Sequence, residues 1–193
     1  MFFILHNTGA GGDMVSAVID STDYIVTDID VRAQPRSERF KLKKAIVALQ
    51  DLGKDCNTMM FDQHGKTDYL KKLEKKYRAV TTSHDFIFIE HEHASNLDII
   101  MIDDSDPKYN KWGMDRCHMI IPDYHPPTSD VELAHRIKRI NDARKFTNKI
   151  IPFSDIVEGR LISVLEQWVD TPLNTEIYSH WLSTIMTKGP KLE

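Results

Sequence analysis

The stretch Phe2-Phe3-Ile4-Leu5-His6-Asn7-Thr8-Gly9-Ala10-Gly11-Gly12-Asp13-Met14 decides the fold, because an apolar run passes through a glycine-rich turn into a helical pattern. Residues 2–6 are nearly all apolar, as expected for a parallel strand covered on both faces. Beyond the turn, Val15, Val18 and Ile19 recur at helical spacing and read as core. A strand that enters a small-residue loop and then a helix places a bound phosphate at a helix N-terminus, where backbone N–H groups and the dipole favour negative charge. Thr8, Gly9, Ala10, Gly11, Gly12, Asp13 and Met14 are therefore the expected nucleotide-binding residues, with the glycines admitting positive φ and close backbone approach. The spacing differs from both familiar phosphate fingerprints: G-x-G-G lacks a third spaced glycine, and Asp13 stands where a lysine would. Asp13 can cap the helix or sit beside Mg²⁺, and it would repel a bare phosphate. A tight turn feeding a packed helix is the alternative reading.

Outward from this stretch, 193 residues suit one domain over 1–193, with ample core. A 41% hydrophobic and 28% charged composition is that of an ordinary globular chain. The formal charge of −4 argues against nonspecific coating of nucleic acid, although a local basic groove can still hold a polyphosphate or a DNA strand. Cys56 and Cys117 are isolated, which indicates neither a disulfide framework nor a cysteine zinc site and fits a reducing cytoplasm. The N-terminus lacks the basic residues and long apolar core of a signal peptide, and no apolar run is long enough for a bilayer.

A second strand, Tyr24 to Thr27, leads into Asp28, Ile29, Asp30, Val31 and Arg32. Carboxylates at the carboxyl end of a strand beside a phosphate loop lie where an open α/β sheet binds its ligand. One aspartate can take the proton of an attacking hydroxyl and Arg32 can neutralise charge on the transferred group. A helix cap with a solvated pair is the other reading. Arg36 and Arg39 belong to a basic stretch over 32–44 that either solvates a helix face or supplies charge to phosphates or a DNA backbone.

Further along, Ala79 to Thr82 reads as a strand, while His91 and His93 could face one side of a strand as metal ligands, with no further histidine completing a recognised zinc motif. Leu97 to Ile102 is the clearest later strand. Asp103 and Asp104 at its end suit either water-mediated Mg²⁺ or a capping turn. A helix over 108–119 makes Arg116 available to point back at the ligand. A helix from Asp130 to about Phe146 carries Arg136 and Arg139, which can meet phosphates from a helical lid over 122–147, while Leu133, Ile137 and Ile140 pack. A strand over 149–153 and helices over 160–169 and 175–186 complete the chain, with Ile162, Leu165, Trp168, Ile177, Trp181 and Ile185 as core and a loose tail from Lys188. This alternation predicts a three-layer α/β fold with a mainly parallel sheet of about five strands.

Tyr24-Ile25-Val26-Thr27-Asp28-Ile29-Asp30-Val31-Arg32 resembles the second-strand segment of phage polynucleotide kinases, which carries an aspartate base followed by an arginine. The glycine loop with Gly11-Gly12-Asp13-Met14-Val15-Ser16-Ala17-Val18-Ile19-Asp20 resembles the phosphate loops of phage kinases that phosphorylate 5-hydroxymethyluracil in DNA. The resemblance implies a P-loop NTPase-like fold, ATP and Mg²⁺ as cofactors, DNA containing a modified pyrimidine as partner, and a host cytoplasmic location. It further implies Asp30 as base, or Asp28 in a shifted register, with Arg32 beside it. On this reading Arg36 and Arg39 serve the substrate, Arg136 and Arg139 the nucleotide, and Asp13, Asp103 and Asp104 the metal. The C-terminal segment from Pro152-Phe153-Ser154-Asp155-Ile156 to Tyr178-x-x-Trp181 is similar to the last helices of sulfotransferase-like proteins. That similarity implies a sulfuryl-transfer alternative with a histidine or other base near the loop. A nucleotide-binding module without turnover is the third possibility.

Overall fold

A computed structural model describes residues 2–7, 9–20, 78–83, 98–120 and 129–191. Its elements are β1 (Phe2–His6), α1 (Gly12–Asp20), β2 (Ala79–Ser83), β3 (Asp98–Asp103), α2 (Pro107–Ile120), α3 (Ser129–Ala143), β4 (Lys149–Pro152), α4 (Phe153–Val157), α5 (Leu161–Leu165) and α6 (Thr175–Lys188). Among the described residues the sheet has four strands in the order β2-β1-β3-β4. Every pairing is parallel, with Ile4 opposite Thr81 on one side and Ile100 on the other, and Met101 opposite Ile150. The chain is thus α/β with an open parallel sheet. The strand expected at 24–27 lies outside the described residues, as do the strand-end residues Asp28, Asp30 and Arg32, the basic stretch with Arg36 and Arg39, and the His91 and His93 pair.

The strands β1 and β3 carry apolar runs because both sheet faces are covered there. Phe3, Ile4 and Leu5 in β1 and Ile99, Ile100, Met101 and Ile102 in β3 are all buried. Consecutive side chains point to opposite faces, so consecutive burial requires cover on each. The helix α1 lies over β1 and β2 and packs against α6. Met14, Val15, Ala17, Val18 and Ile19 are all fully buried on it. A helix buried on so many sides cannot be a surface helix. Elsewhere Phe153 receives Trp112 at 5.2 Å and Tyr109 at 5.7 Å between ring centroids, which clamps α2 to the end of β4.

Several boundaries differ from the sequence-based expectation. The strand expected to reach Phe153 stops at Pro152, whose extended backbone (φ −57°, ψ 134°) serves as the N-cap of α4. The helix expected over 160–169 closes at Leu165, and Gly159, with φ +87°, separates it from α4. Ile162 and Trp168 are only partly buried, whereas Leu165 is fully inside. The helix α3 ends at Ala143 and tightens into a turn, with Phe146 N–H donating to the Ala143 carbonyl at 2.9 Å. The tail is tied down rather than loose: Trp112 Nε1 donates to the Pro190 carbonyl at 2.8 Å. Among the described residues no helix is long and apolar enough to cross a membrane.

Candidate functional site

The order β2-β1-β3 places neighbours on both sides of β1, so the sheet has a switch point at the carboxyl ends of β1 and β3, where open α/β sheets form their ligand crevice. Polar residues gather there inside the protein. His6, Asn7, Asp104, Asn110, Arg116 and Arg136 are all buried. Buried polar and charged groups are costly unless satisfied, so such a concentration marks a place where the fold gives up hydrophobic packing.

Asp104 is the centre of the cluster. Its Oδ1 accepts from Asn7 Nδ2 at 2.7 Å and its Oδ2 from Arg136 at 2.7 Å. Both charged side chains are only 1% exposed, so solvent does little to screen the pair. Asn110 Nδ2 donates to the Asp104 carbonyl at 3.2 Å, which fixes the turn from β3 into α2. These contacts orient both amides, because a carboxylate and a carbonyl can only accept. The atoms left over are therefore the carboxamide oxygens. Asn7 Oδ1, Asn110 Oδ1 and Arg136 Nε have no hydrogen-bond partner among the described residues. Two acceptors and one guanidinium donor, all buried, can take a water or a polar group of a ligand.

The glycine turn stands beside this cluster. Gly9 and Gly11 have φ of +88° and +77°, the left-handed region that glycine enters without strain. Ala10 N–H donates to the Asn7 carbonyl at 3.1 Å, which closes the turn onto the end of β1. His6 Nδ1 donates to that same carbonyl at 2.9 Å, leaving its buried Nε2 without a partner among the described residues. The His6 ring occupies the space a side chain on Gly12 would need, with Cδ2 at 2.0 Å from an ideal Cβ. On the other side, Trp181 reaches within 3.1 Å of the corresponding position on Gly11. Arg116 Nη1 donates to the Gly9 carbonyl at 3.0 Å.

The sequence-predicted residues fall into three groups. Gly9, Ala10, Gly11, Gly12 and Met14 form the turn and the start of α1, and Asp13 is placed there by its backbone. Asp104 and Arg136 come together as described, while Asp103 pairs with Arg144 and accepts from Ser105 N–H at 3.0 Å. Arg139 stays nearer the surface, 3.2 Å from Glu132. Thr8, Asp28, Asp30, Arg32, Arg36 and Arg39 lie outside the described residues. Asn7 and Asn110 were not expected: a lone asparagine after a strand or within a helix carries no local signal. Their importance comes from Asp104, 97 positions from Asn7 in sequence. Among the described residues no group of three or more His, Cys, Asp or Glu side chains is placed to hold a metal ion.

A second concavity, of about 430 Å³, opens at the amino ends of β3 and β4, the end of the sheet opposite the glycine turn. It is lined by Asp98, Arg144, Phe146 and Lys149 among others. Lys149 pairs with Asp98 within it, while Arg144 and Lys145 pair with Asp103 and Asp142 outside its lining.

No protein-family model matches the chain, and neither the curated proteins nor the solved structures give a match. The class defined by fold and site is an α/β protein with a buried polar cluster at the switch point of a parallel sheet.

Proposed function

We propose that the chain is a P-loop-type transferase that passes the γ-phosphoryl group of ATP to a hydroxyl, with the hydroxymethyl group of 5-hydroxymethyluracil in DNA as acceptor. The observation that supports this reading most is the glycine turn: two positive-φ glycines between a parallel strand and a helix N-terminus, opening at the switch point. The buried cations Arg116 and Arg136 are tied to it, the first directly and the second through Asp104 and Asn7. Positioning and charge stabilisation are most of what phosphoryl transfer asks of a protein. The five-stranded P-loop arrangement and the choice of a DNA base as acceptor rest on the resemblance of the opening third of the chain.

In this reading the acceptor oxygen attacks the γ-phosphorus and the bond to ADP breaks, while Asp30, or Asp28, takes the hydroxyl proton. Arg32, Arg36 and Arg39 offset charge near the acceptor, and Arg139 serves the nucleotide from α3. Mg²⁺ accompanies ATP. This reading assigns it to Asp13, Asp103 and Asp104; each carboxylate oxygen of Asp103 and Asp104 already accepts one hydrogen bond and keeps a second lone pair, which suits contact with the ion through water.

A second reading, sulfuryl transfer to a hydroxyl, is favoured by one feature: His6 is a buried base candidate packed directly against Gly12. Labelled γ-phosphate transfer from Mg-ATP to duplex DNA containing 5-hydroxymethyluracil, beside matched thymine DNA with free 5′ ends, separates the possibilities. Label confined to the modified DNA, and lost in Asp30→Asn, supports the base-kinase reading. Label on both DNAs indicates an end kinase. Label on neither, with sulfuryl transfer that survives chelation, replaces the proposal by the second reading.

A further inference from the structure

We infer that Arg116 is a positioning residue for the phosphate-binding turn, acting through the Gly9 carbonyl and the Trp181 indole rather than on the phosphate. The inference rests on the reading that this turn binds phosphate.

A glycine-rich turn has much conformational freedom to lose, and ordering it when a ligand arrives subtracts from affinity. Here the freedom is removed beforehand. Arg116, on α2, donates from Nη1 to the Gly9 carbonyl at 3.0 Å. The carbonyl and the N–H of one trans peptide point in opposite directions. Turning the Gly9 carbonyl toward α2 therefore aims the Ala10 N–H the other way, where it donates to the Asn7 carbonyl at 3.1 Å. Both polar ends of the Gly9–Ala10 peptide are held. The next glycine is held by packing, with Trp181 of α6 against Gly11.

The two restraints are joined. The Arg116 guanidinium lies 5.6 Å from the centroid of the Trp181 ring, within cation–π range. Arg116 is 6% exposed and Trp181 is fully buried, so neither contact is diluted by water. One side chain thus couples the β1–α1 turn, α2 and α6. A wholly structural arginine would set stability alone; a positioning arginine sets the affinity of the turn for phosphate.

The test compares the full-length parent with Arg116→Met and Arg116→Lys, using titration of tryptophan emission and calorimetry with ATP and pyrophosphate, and kinetics on the modified DNA. Arg116→Met is expected to weaken ATP and pyrophosphate about tenfold or more, raising KM for ATP while kcat stays within about threefold. Arg116→Lys keeps a donor and a charge over the indole and is expected within about threefold of the parent. Affinity of Arg116→Met within about twofold of the parent overturns the inference, as does a folded Arg116→Lys no better than Arg116→Met. Should Arg116→Met not fold, Arg116→Lys and Trp181→Phe decide. Weakened pyrophosphate binding in Trp181→Phe upholds the coupling, and parental binding in both overturns it. A parent that binds neither ATP nor pyrophosphate removes the phosphate-binding reading and the role of Arg116 together. Binding that persists unchanged in the variants removes the role of Arg116 alone.

Discussion

Arg136 of α3 and Asp104 at the end of β3 meet at 2.7 Å with both side chains almost wholly excluded from solvent. Asn7, at the end of β1, holds the second carboxylate oxygen at the same distance. Three elements therefore share one buried charge pair at the mouth of the sheet. Such a pair contributes little net stability compared with well-packed apolar residues, yet removing one partner strands the other in a low-dielectric interior.

That asymmetry is measurable. Arg136→Met leaves Asp104 without its cation and is expected to cost about 3–5 kcal/mol in denaturant unfolding. The double variant Arg136→Met with Asp104→Leu removes the stranded charge and is expected to recover a large part of that loss. A double variant less stable than Arg136→Met would mean that Asp104 is held mainly by Asn7 and by its backbone contact with Asn110.

The contact between Gly12 and His6 gives a second expectation. A methyl group on Gly12 would meet the imidazole at 2.0 Å, closer than any van der Waals contact allows. Gly12→Ala should cost about 1–3 kcal/mol through overpacking. Adding His6→Ala opens space for the new methyl, so the Gly12→Ala penalty should shrink in that background. An unchanged penalty would place the strain in the backbone of the turn instead.

These two relationships show what could and could not be read from the chain. The strands β1 and β3 were legible because strands buried on both faces must be apolar without interruption, and Ile4 and Ile100 satisfy that locally. The burial of Val15, Val18, Ile177, Trp181 and Ile185 followed from helical spacing alone. The polar cluster was legible only in part. Asp104 stood in an acidic run and Arg136 in a basic helix, each with an ordinary surface reading. Their pairing spans 32 positions and depends on how α3 returns over the sheet, which no local pattern records. The break after Leu165 was missed for the opposite reason: apolar spacing continued to Trp168 while the backbone had already left the helix.

The N-cap of α6 offers a test away from the site. Asn174 accepts from the Ile177 N–H at 3.1 Å, satisfying one of the helix's unpaired donors. Asn174→Ala should cost about 1 kcal/mol, and Asn174→Asp should keep the cap and add a favourable charge at the helix start. Because α6 carries Trp181 against Gly11, loosening its first turn should also raise amide exchange in the glycine turn. Faster exchange confined to the first turn of α6 would mean that the remainder of the helix holds Trp181 independently.

Tyr178 supplies a pH dependence whose direction follows from burial. Its hydroxyl donates to the Ile156 carbonyl at 2.5 Å, and desolvation is the main cause holding the phenol above its ordinary value of 10.0. The folded state therefore keeps its proton to higher pH than the unfolded chain. The resulting stability is complete below the unfolded phenol pKa of about 10 and is lost as pH rises through the folded value. At neutral pH Tyr178→Phe should cost about 1 kcal/mol, because the Ile156 carbonyl loses its donor. Above about pH 10 the parent loses stability that the phenylalanine variant never had, so the gap between their Tm values should narrow. Thermal unfolding of both proteins across the alkaline range measures that gap. A gap that stays constant would show that another group controls alkaline unfolding, and a widening gap would mean that ionised Tyr178 is stabilised by the fold.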